Sequence, residues 1–271
     1  MLDLSIVVLV WQDRAFLPTC LESIAAGHGD LSVEVVLVEN GITLAETEYA
    51  PFMPVIVHNT ENRGVAPARN QGLQRAQGRY LMLLDADTLV SHDALMQLVR
   101  FMDAHPEVGL AGPRLQDKQG NLQLTCRKLP TVQTKLLRRM PTRWARALLA
   151  DEMYAEYDHQ TPRVVDYVIG ACQIIRREAY AQVGALDEQF FYGPEDVDYC
   201  IRTWRAGWRV MYVPDAVVIH NEQRLTQRRA FSKLSLLHAQ GLARYFWKHR
   251  YLFTRPSLAP LNGDGQPTTY Q

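Results

Sequence analysis

Two carboxylates, two residues apart, close the run Tyr80-Leu-Met-Leu-Leu-Asp85-Ala86-Asp87. Alternate side chains of an extended segment point the same way, so Asp85 and Asp87 can face one site together. Paired hard oxygen ligands suit Mg²⁺ or Mn²⁺, which bridge protein carboxylates and a substrate diphosphate. The competing reading is that Asp-Ala-Asp-Thr caps a helix beginning near Ser91, since Asp and Thr are common turn residues. A second acidic group, Glu195, Asp196 and Asp198, opens a helix expected from Asp196 to Ala206. Acids in a first turn are stabilised by the helix dipole, and Asp198 also has Arg202 four residues on.

The elements that must position these groups alternate in type. Ser5 to Val10 is a continuously apolar, β-branched run, and Phe16 to Ile24 carries apolar residues at helical spacing. Val33 to Val38 and Val55 to Val57 predict two more strands, Ala66 to Ala76 a helix, Tyr80 to Leu84 a fourth buried strand and Asp93 to Ala104 a further helix. Such alternation implies right-handed crossovers and an α/β fold with a Rossmann-like, mostly parallel central sheet flanked by helices. Open sheets of this kind bind ligands at the carboxyl ends of their strands, where Asp85 falls. Residues 1–110 therefore predict a nucleotide-binding α/β half.

After Ala104 the pattern is irregular until Val164 to Ile175, which reads as a strand pair or one long bent strand. Arg176 to Val183 predicts a short helix, Trp208 to Val213 and Ala216 to Ile219 two strands, and Arg229 to His249 an amphipathic helix. From Pro256 the composition is that of a loose tail. Trp204 and Trp208 are expected in the core.

The 271 residues, 47% of them hydrophobic, suffice for a substantial core. The 29 Lys and Arg balance 29 Asp and Glu, so bulk charge argues against a nucleic-acid partner. The charge is nonetheless uneven. Lys118 to Ala150 holds no acid beside Lys118, Arg127, Lys128, Lys135, Arg138, Arg139, Arg143 and Arg146, and Gln223 to Gly263 repeats this with Arg224, Arg228, Arg229, Lys233, Arg244, Lys248, Arg250 and Arg255. Cys20, Cys126, Cys172 and Cys200 form no CxxC pair, which argues against a disulfide scaffold or a structural zinc site and for a reducing compartment. With no basic leader and no apolar window of about 20 residues, the expectation is a cytoplasmic chain.

Five further motifs accompany Asp85-Ala86-Asp87: Asn62-Arg-Gly-Val-Ala-Pro-Ala-Arg-Asn70-Gln-Gly72, Gly170-Ala-Cys-Gln-Ile-Ile-Arg-Arg177, Phe190-Phe-Tyr-Gly-Pro-Glu195-Asp196-Val-Asp198-Tyr-Cys-Ile-Arg202, Ala206-Gly-Trp208 and Val213-Pro-Asp-Ala-Val-Val-Ile-His220. In order and spacing the set resembles glycosyltransferase family 2, and within it the rhamnosyltransferase-like members that build bacterial polysaccharides, from about Ser5 to His220. The resemblance implies a GT-A fold and an inverting, metal-dependent transfer of a sugar from a UDP- or dTDP-sugar to a hydroxyl of a saccharide or lipid-linked saccharide in cell-envelope synthesis. Rhamnose from dTDP-rhamnose is implied on the same ground. It divides the chain into a nucleotide-sugar-binding half (1–110), an acceptor-binding and catalytic half (111–225) and a C-terminal amphipathic helix with tail (226–271).

Residue by residue, the resemblance puts Glu39, followed by Asn40, where a carboxylate reads the pyrimidine base; the family more often carries Asp-Asn-Ala-Ser there. Trp11 would pack near that base. Arg63-Gly64 and Arg69-Asn70 match the segment lying against nucleotide and sugar, Gly64 admitting close backbone approach and Arg69 pairing with a phosphate. Asp85, with Ala86, corresponds to the ribose or sugar contact, Asp87 to the Mn²⁺ or Mg²⁺ ligand, and His220 completes the metal site. Asp196 corresponds to the general base and Glu195 to an acceptor-hydroxyl contact.

Two other functions compete. A catalytically idle nucleotide- or carbohydrate-binding module of the same fold would be expected to have lost a carboxylate, and none is missing. A nucleotidyltransferase would want a glycine-rich basic loop after the first strand, and Val10-Trp-Gln-Asp-Arg14 has no glycine. The two acid-free stretches mix their cations with Leu, Trp and Phe, Leu129 to Leu149 and the C-terminal helix with Phe231 among them. They fit either peripheral contact with an anionic membrane, on the cytoplasmic face of the inner membrane, or solvated faces that finish the core.

Overall fold

β1 (Leu4–Val10) is buried along its whole length because it pairs in parallel on both sides, with β2 (Val33–Asn40) and β4 (Tyr80–Asp85). A strand covered on both faces has no use for alternation, hence its unbroken apolar sequence. Leu4, Ile6, Val8 and Val10 join one core with α1 (Leu17–Gly27) and α3 (Ala94–Ala104). Val7 and Leu9 join the other with α2 (Val65–Arg75) and α7 (Glu195–Arg205). Gly72 sets how close α2 comes, since a Cβ there would lie 2.3 Å from Val7 Cγ1. This computed structural model describes residues 2–49, 52–137, 142–221 and 232–258. Arg138, Arg139, Arg224, Arg228, Arg229, Phe231 and the tail beyond residue 258 lie outside the described residues.

The sheet runs β3-β2-β1-β4-β11-β6-β12-β5, β3 being Val55–Asn59. It is parallel through β4, as the sequence predicts. It then reverses, for β11 (Cys172–Arg176) lies antiparallel between β4 and β6 (Val108–Gln116). β6 is parallel to β12 (Arg209–His220), which carries β5 (Thr88–Val90) antiparallel at the edge.

Three sequence expectations need correction. Val164 to Ile175 is neither a strand pair nor one bent strand but three pieces with different partners: β9 (Arg163–Val164) on β12, β10 (Tyr167–Val168) on β8 (Cys126–Arg127), and β11 in the main sheet. The two strands expected between Trp208 and Ile219 are the single β12, whose register shifts between Val213 and Val217 opposite Pro113 and Arg114. β6 itself went unread because Gly109, Gly112 and Pro113 look like strand breakers. The glycines serve close approach: a Cβ would lie 2.5 Å from Trp208 Cβ at Gly109 and 2.8 Å from Val168 at Gly112. Pro113 sits at the register irregularity, where a missing ladder donor costs least.

Helices α4 (Val132–Leu137) and α5 (Arg143–Glu152) occupy the first acid-free stretch, α6 (Arg177–Val183) follows β11, and α8 (Lys233–His249) closes the described chain. Among the described residues no helix is long and apolar enough to cross a membrane. Trp204 is buried, as expected; Trp208 is only partly covered and donates Nε1–H to Gln182 at 2.9 Å.

Candidate active site

Strand register decides which groups meet at the carboxyl edge. Leu9 aligns with Asp85 of β4, and Val10 with Glu39 of β2. A cleft of about 390 Å³ opens there. Trp11, Asp13, Asp85, Asp87 and His220 line it, together with Arg69, Glu195 and Asp196.

The chain leaves β4 through buried Ala86, and Thr88 Oγ1 closes the turn by donating to the Asp85 carbonyl at 2.7 Å. β5 then pairs with β12 so that His220 stands opposite Thr88, while Asn221 N–H donates to the Asp87 carbonyl at 2.9 Å. This brings His220 Nε2 to 3.6 Å from Asp87 Oδ1. Gln123 orients the imidazole. Its amide nitrogen donates to the His220 carbonyl at 2.8 Å, leaving its oxygen 2.9 Å from Nδ1. Nδ1 therefore donates to Gln123, and Nε2, turned toward Asp87, is the nitrogen a metal would take. Ligand atoms of Asp85, Asp87 and His220 all lie within 4.8 Å of one another. Two carboxylates and one imidazole held by the Gln123 amide are a donor set that fits Mn²⁺ or Mg²⁺, the nitrogen tilting the choice toward Mn²⁺.

Arg69 of α2 links this corner to the acids of α7. It is buried, and its Nη2 donates to Asp85 Oδ1 at 2.6 Å and to the Gly170 carbonyl at 2.7 Å, while Nη1 lies 3.5 Å from Glu195 Oε1. Burial works against its charge, but Asp85, Glu195 and Asp196 outweigh that and hold it protonated. Asp196 is fixed by two backbone donors, Gly170 N–H to Oδ2 at 3.0 Å and Val197 N–H to Oδ1 at 2.8 Å. Glu195 is buried, with no hydrogen-bond partner for Oε2. Burial first, and the neighbouring Asp196 charge second, push its carboxyl well above the ordinary carboxylate range.

Of the residues singled out from sequence, Trp11, Arg69, Asp85, Asp87, Glu195, Asp196 and His220 come together in this cleft. Glu39, Asn40, Gly64 and Ala86 do not line it. Glu39 is no solvated loop acid: it is buried, Oε1 accepting from Leu44 N–H at 2.9 Å and Oε2 lying 2.6 Å from His58 Nδ1. Asn40 staples the following loop, donating to Asn62 Oδ1 and accepting from Arg63 N–H, both at 2.9 Å. Gly64 takes φ +93°, and a Cβ there would lie 2.7 Å from the Phe191 carbonyl, so its close approach is to Phe191.

Sequence reasoning passed over Asp13 and several other lining residues. Asp13 accepts from Trp11 N–H at 2.9 Å; burial, with the Asp85 charge adding, pushes its carboxyl up to about 6. Its only signal was being the one acid in the loop after β1. Arg127, Lys135, Tyr192 and His238 also line the cleft, and the first two stood out only as members of a charge run.

A family model described as Glycosyl transferase family 2 matches residues 5–184. The N-acetylglucosaminyl-diphospho-decaprenol L-rhamnosyltransferase of Mycobacterium tuberculosis is 32% identical over 134 residues, 49% of this chain and 44% of that one. Rhamnosyltransferase WbbL of Escherichia coli K12 is 25% identical over 181 residues, 66% of each chain. The chain thus spans less than half the length of its mycobacterial relative. Among solved structures, the mannosyltransferase PcManGT of Pyrobaculum calidifontis, in complex with GDP-Man and Mn²⁺, superimposes with TM-score 0.60 at 20% identity over 94% of this chain and 68% of that one. GalNAc-T7 with UDP, GalNAc and Mn²⁺ gives TM-score 0.60 at 19% identity over 81% and 44%.

Proposed function

The chain belongs to glycosyl transferase family 2 and has its GT-A fold, and from this premise we propose that it transfers a sugar, with inversion, from a nucleoside diphosphate to an acceptor hydroxyl. The observation that carries the reading is the convergence of Asp85, Asp87 and His220 within 4.8 Å in the same cleft as Asp196. Residues 1–110 supply the donor corner and residues 111–225 the acceptor side. The proposed donor is dTDP-rhamnose and the acceptor a lipid-linked saccharide, readings supported by the two rhamnosyltransferase relatives.

Asp85, Asp87 and His220 would hold Mn²⁺ or Mg²⁺. Bound there, the ion supplies Lewis-acid stabilisation of the charge that develops on the leaving diphosphate. Asp196 takes the acceptor proton as the hydroxyl oxygen bonds to the anomeric carbon; the bond from that carbon to the diphosphate breaks and its electron pair leaves with the nucleoside diphosphate. Two backbone N–H groups aim Asp196. Glu195, buried beside it, keeps its proton and can donate to an acceptor oxygen, so the adjacent acids divide the work. Arg69 neutralises Asp85 and fixes the Gly170 loop between corner and base.

The test is release of nucleoside diphosphate from a panel of nucleoside diphosphate sugars with Mn²⁺, Mg²⁺ or EDTA. Wild-type turnover should require the ion, and Asp87→Ala should lose metal-dependent turnover by roughly a hundredfold or more. Turnover that persists in EDTA, or in Asp87→Ala, would refute the metal assignment.

For the lipid-linked acceptor we read α4, α5 and the segment after α8 as a membrane-facing shelf. Leu136 (70% exposed), Trp144 (82%), Leu148, Leu252 and Phe253 (59%) leave apolar surface in solvent. Val132 N–H donates to the Leu252 carbonyl at 2.9 Å and Arg255 Nε to the Leu129 carbonyl at 2.6 Å, which joins the pieces. Arg143 and Arg146, exposed on α5, match an anionic headgroup layer. The chain should cosediment with anionic liposomes at low salt, and Trp144→Ser with Phe253→Ser should lower the bound fraction several-fold; equal binding by wild type and variant removes the shelf.

A further inference from the structure

The cleft is lined by both signs of charge: Asp13, Asp85 and Asp87 suit a cation, and Arg127 and Lys135 add two basic side chains. Arg127 ends β8, held by its Nε donating to the Leu124 carbonyl at 2.9 Å. Burial opposes its charge, but Tyr167, Glu152 and Asp196 sustain it. Lys135, on α4, has its Nζ 4.0 Å from Oε1 of Glu152, a fully buried carboxylate at the end of α5 that fixes where the ammonium sits. Arg127 pairs with Tyr167 of β10, three residues before Gly170, whose N–H holds Asp196 at 3.0 Å, which puts Arg127 on the side of Asp196.

That placement decides which substrate the basic pair can serve. In an inverting displacement the base and the incoming hydroxyl lie on the face of the sugar opposite the leaving diphosphate. Cations on the base's side are on the wrong face for the donor's diphosphate, so an anion bound there belongs to the acceptor. Lys135 and Leu136 are neighbours on α4, one in the cleft wall and the other 70% exposed on the apolar shelf. A phosphate between a sugar and an apolar chain would meet these features in order: sugar at Asp196, phosphate at Arg127 and Lys135, chain at Leu136 and beyond.

We propose that Arg127 and Lys135 form an anion site that binds the phosphate or diphosphate of the acceptor. The assignment rests on the sugar-transfer reading for its orientation, and its test does not depend on turnover. Binding of inorganic pyrophosphate and of farnesyl diphosphate to the full chain is titrated calorimetrically in EDTA, so that the acidic corner carries no ion. Both probes should bind the wild type, and Lys135→Ala and Arg127→Gln should each weaken them by roughly tenfold or more, as expected for a lost charge-assisted contact. Nucleoside diphosphate binding with Mn²⁺, measured on the same samples, reports whether the partly buried Arg127→Gln variant has folded; Lys135→Ala decides the matter if it has not. Farnesyl diphosphate binding more tightly than pyrophosphate supports the site and assigns its anion to a lipid carrier; equal affinity supports it and assigns a free phosphate group. Failure of both probes to bind the wild type, or undiminished binding by Lys135→Ala, overturns the site even if donor sugars turn over. Loss of probe binding in Lys135→Ala with no donor turnover leaves the site standing and defeats the sugar-transfer reading instead.

Discussion

Asp196→Asn should slow sugar transfer by about 10²–10⁴-fold, the range for loss of a positioned general base, and should leave donor affinity unchanged. The amide keeps the shape and can still accept from Gly170 N–H, but it cannot take the acceptor proton. Donor binding is expected to survive because the metal corner and Arg69 make none of the contacts that fix Asp196, which are both backbone. Single-turnover transfer beside donor titration separates the two quantities, and an Asn variant within tenfold of wild type would dismiss Asp196 as the base. Glu195→Gln is the companion. Because the native carboxyl is held protonated, the amide mimics its working form, and transfer should fall by less than about tenfold. The same shift makes a stability prediction. The native chain holds a proton on Glu195 that the unfolded chain releases in the ordinary carboxylate range, so wild-type stability falls as pH rises from 4.5 to about 7 and levels off above it. Thermal unfolding of Glu195→Gln should show a shallower decline.

The first 110 residues were legible because their chemistry is carried by short-range pattern. An apolar β-branched run such as Ser5 to Val10 has few other outcomes, and a carboxylate ending such a run reaches the ligand edge without any tertiary knowledge. Asp85, Asp87 and His220, 133 residues apart between Asp87 and His220, meet only because β5 pairs with β12, a contact no local pattern announces. Motif resemblance, not periodicity, brought His220 into the set.

The chain from β6 onward was less legible, for two physical reasons. Its central strand β6 is written in glycine and proline because Trp208 and Val168 press against it, so tertiary packing overrides strand propensity. Its basic residues lie in a charge run, and a run does not say which cations turn inward: Arg127 and Lys135 line the cleft while Arg143 and Arg146 face solvent. Glu39 and Asn40 show the converse. Their position at the strand ends was read correctly, yet their polar atoms are engaged by Leu44, His58, Asn62 and Arg63.

Asp198→Ala should destabilise the chain by about 3–5 kcal/mol, the cost of breaking a buried charge cluster from one side. From sequence Asp198 reads as an acid at a helix N-terminus with Arg202 at i+4. The Arg202 pair is present at 2.9 Å, but the residue is fully buried and also meets Lys248 Nζ at 2.6 Å and His249 Nε2 at 2.9 Å. It therefore pins the end of α8 to the first turn of α7, two residues from Asp196. Alanine would leave the fully buried His249, and the partly buried Lys248 and Arg202, facing a cavity. Burial alone would raise the Asp198 carboxyl, but His249, Lys248 and Arg202 prevail and hold it down at about 2. A carboxylate with a depressed native pKa adds stability that is complete above its unfolded value and disappears as pH falls through the folded one. Here the window runs from the ordinary aspartate value of 3.8 down to about 2, and the stability at stake is about 2 kcal/mol. Denaturant unfolding at neutral pH reads the first effect, and acid titration of Asp198→Asn against wild type reads the second. Because α8 anchors the helix that carries the base, folded Asp198→Asn should also lose transfer while keeping metal-dependent donor binding. A variant with wild-type stability and an unchanged acid limb would show that the cluster contributes nothing net.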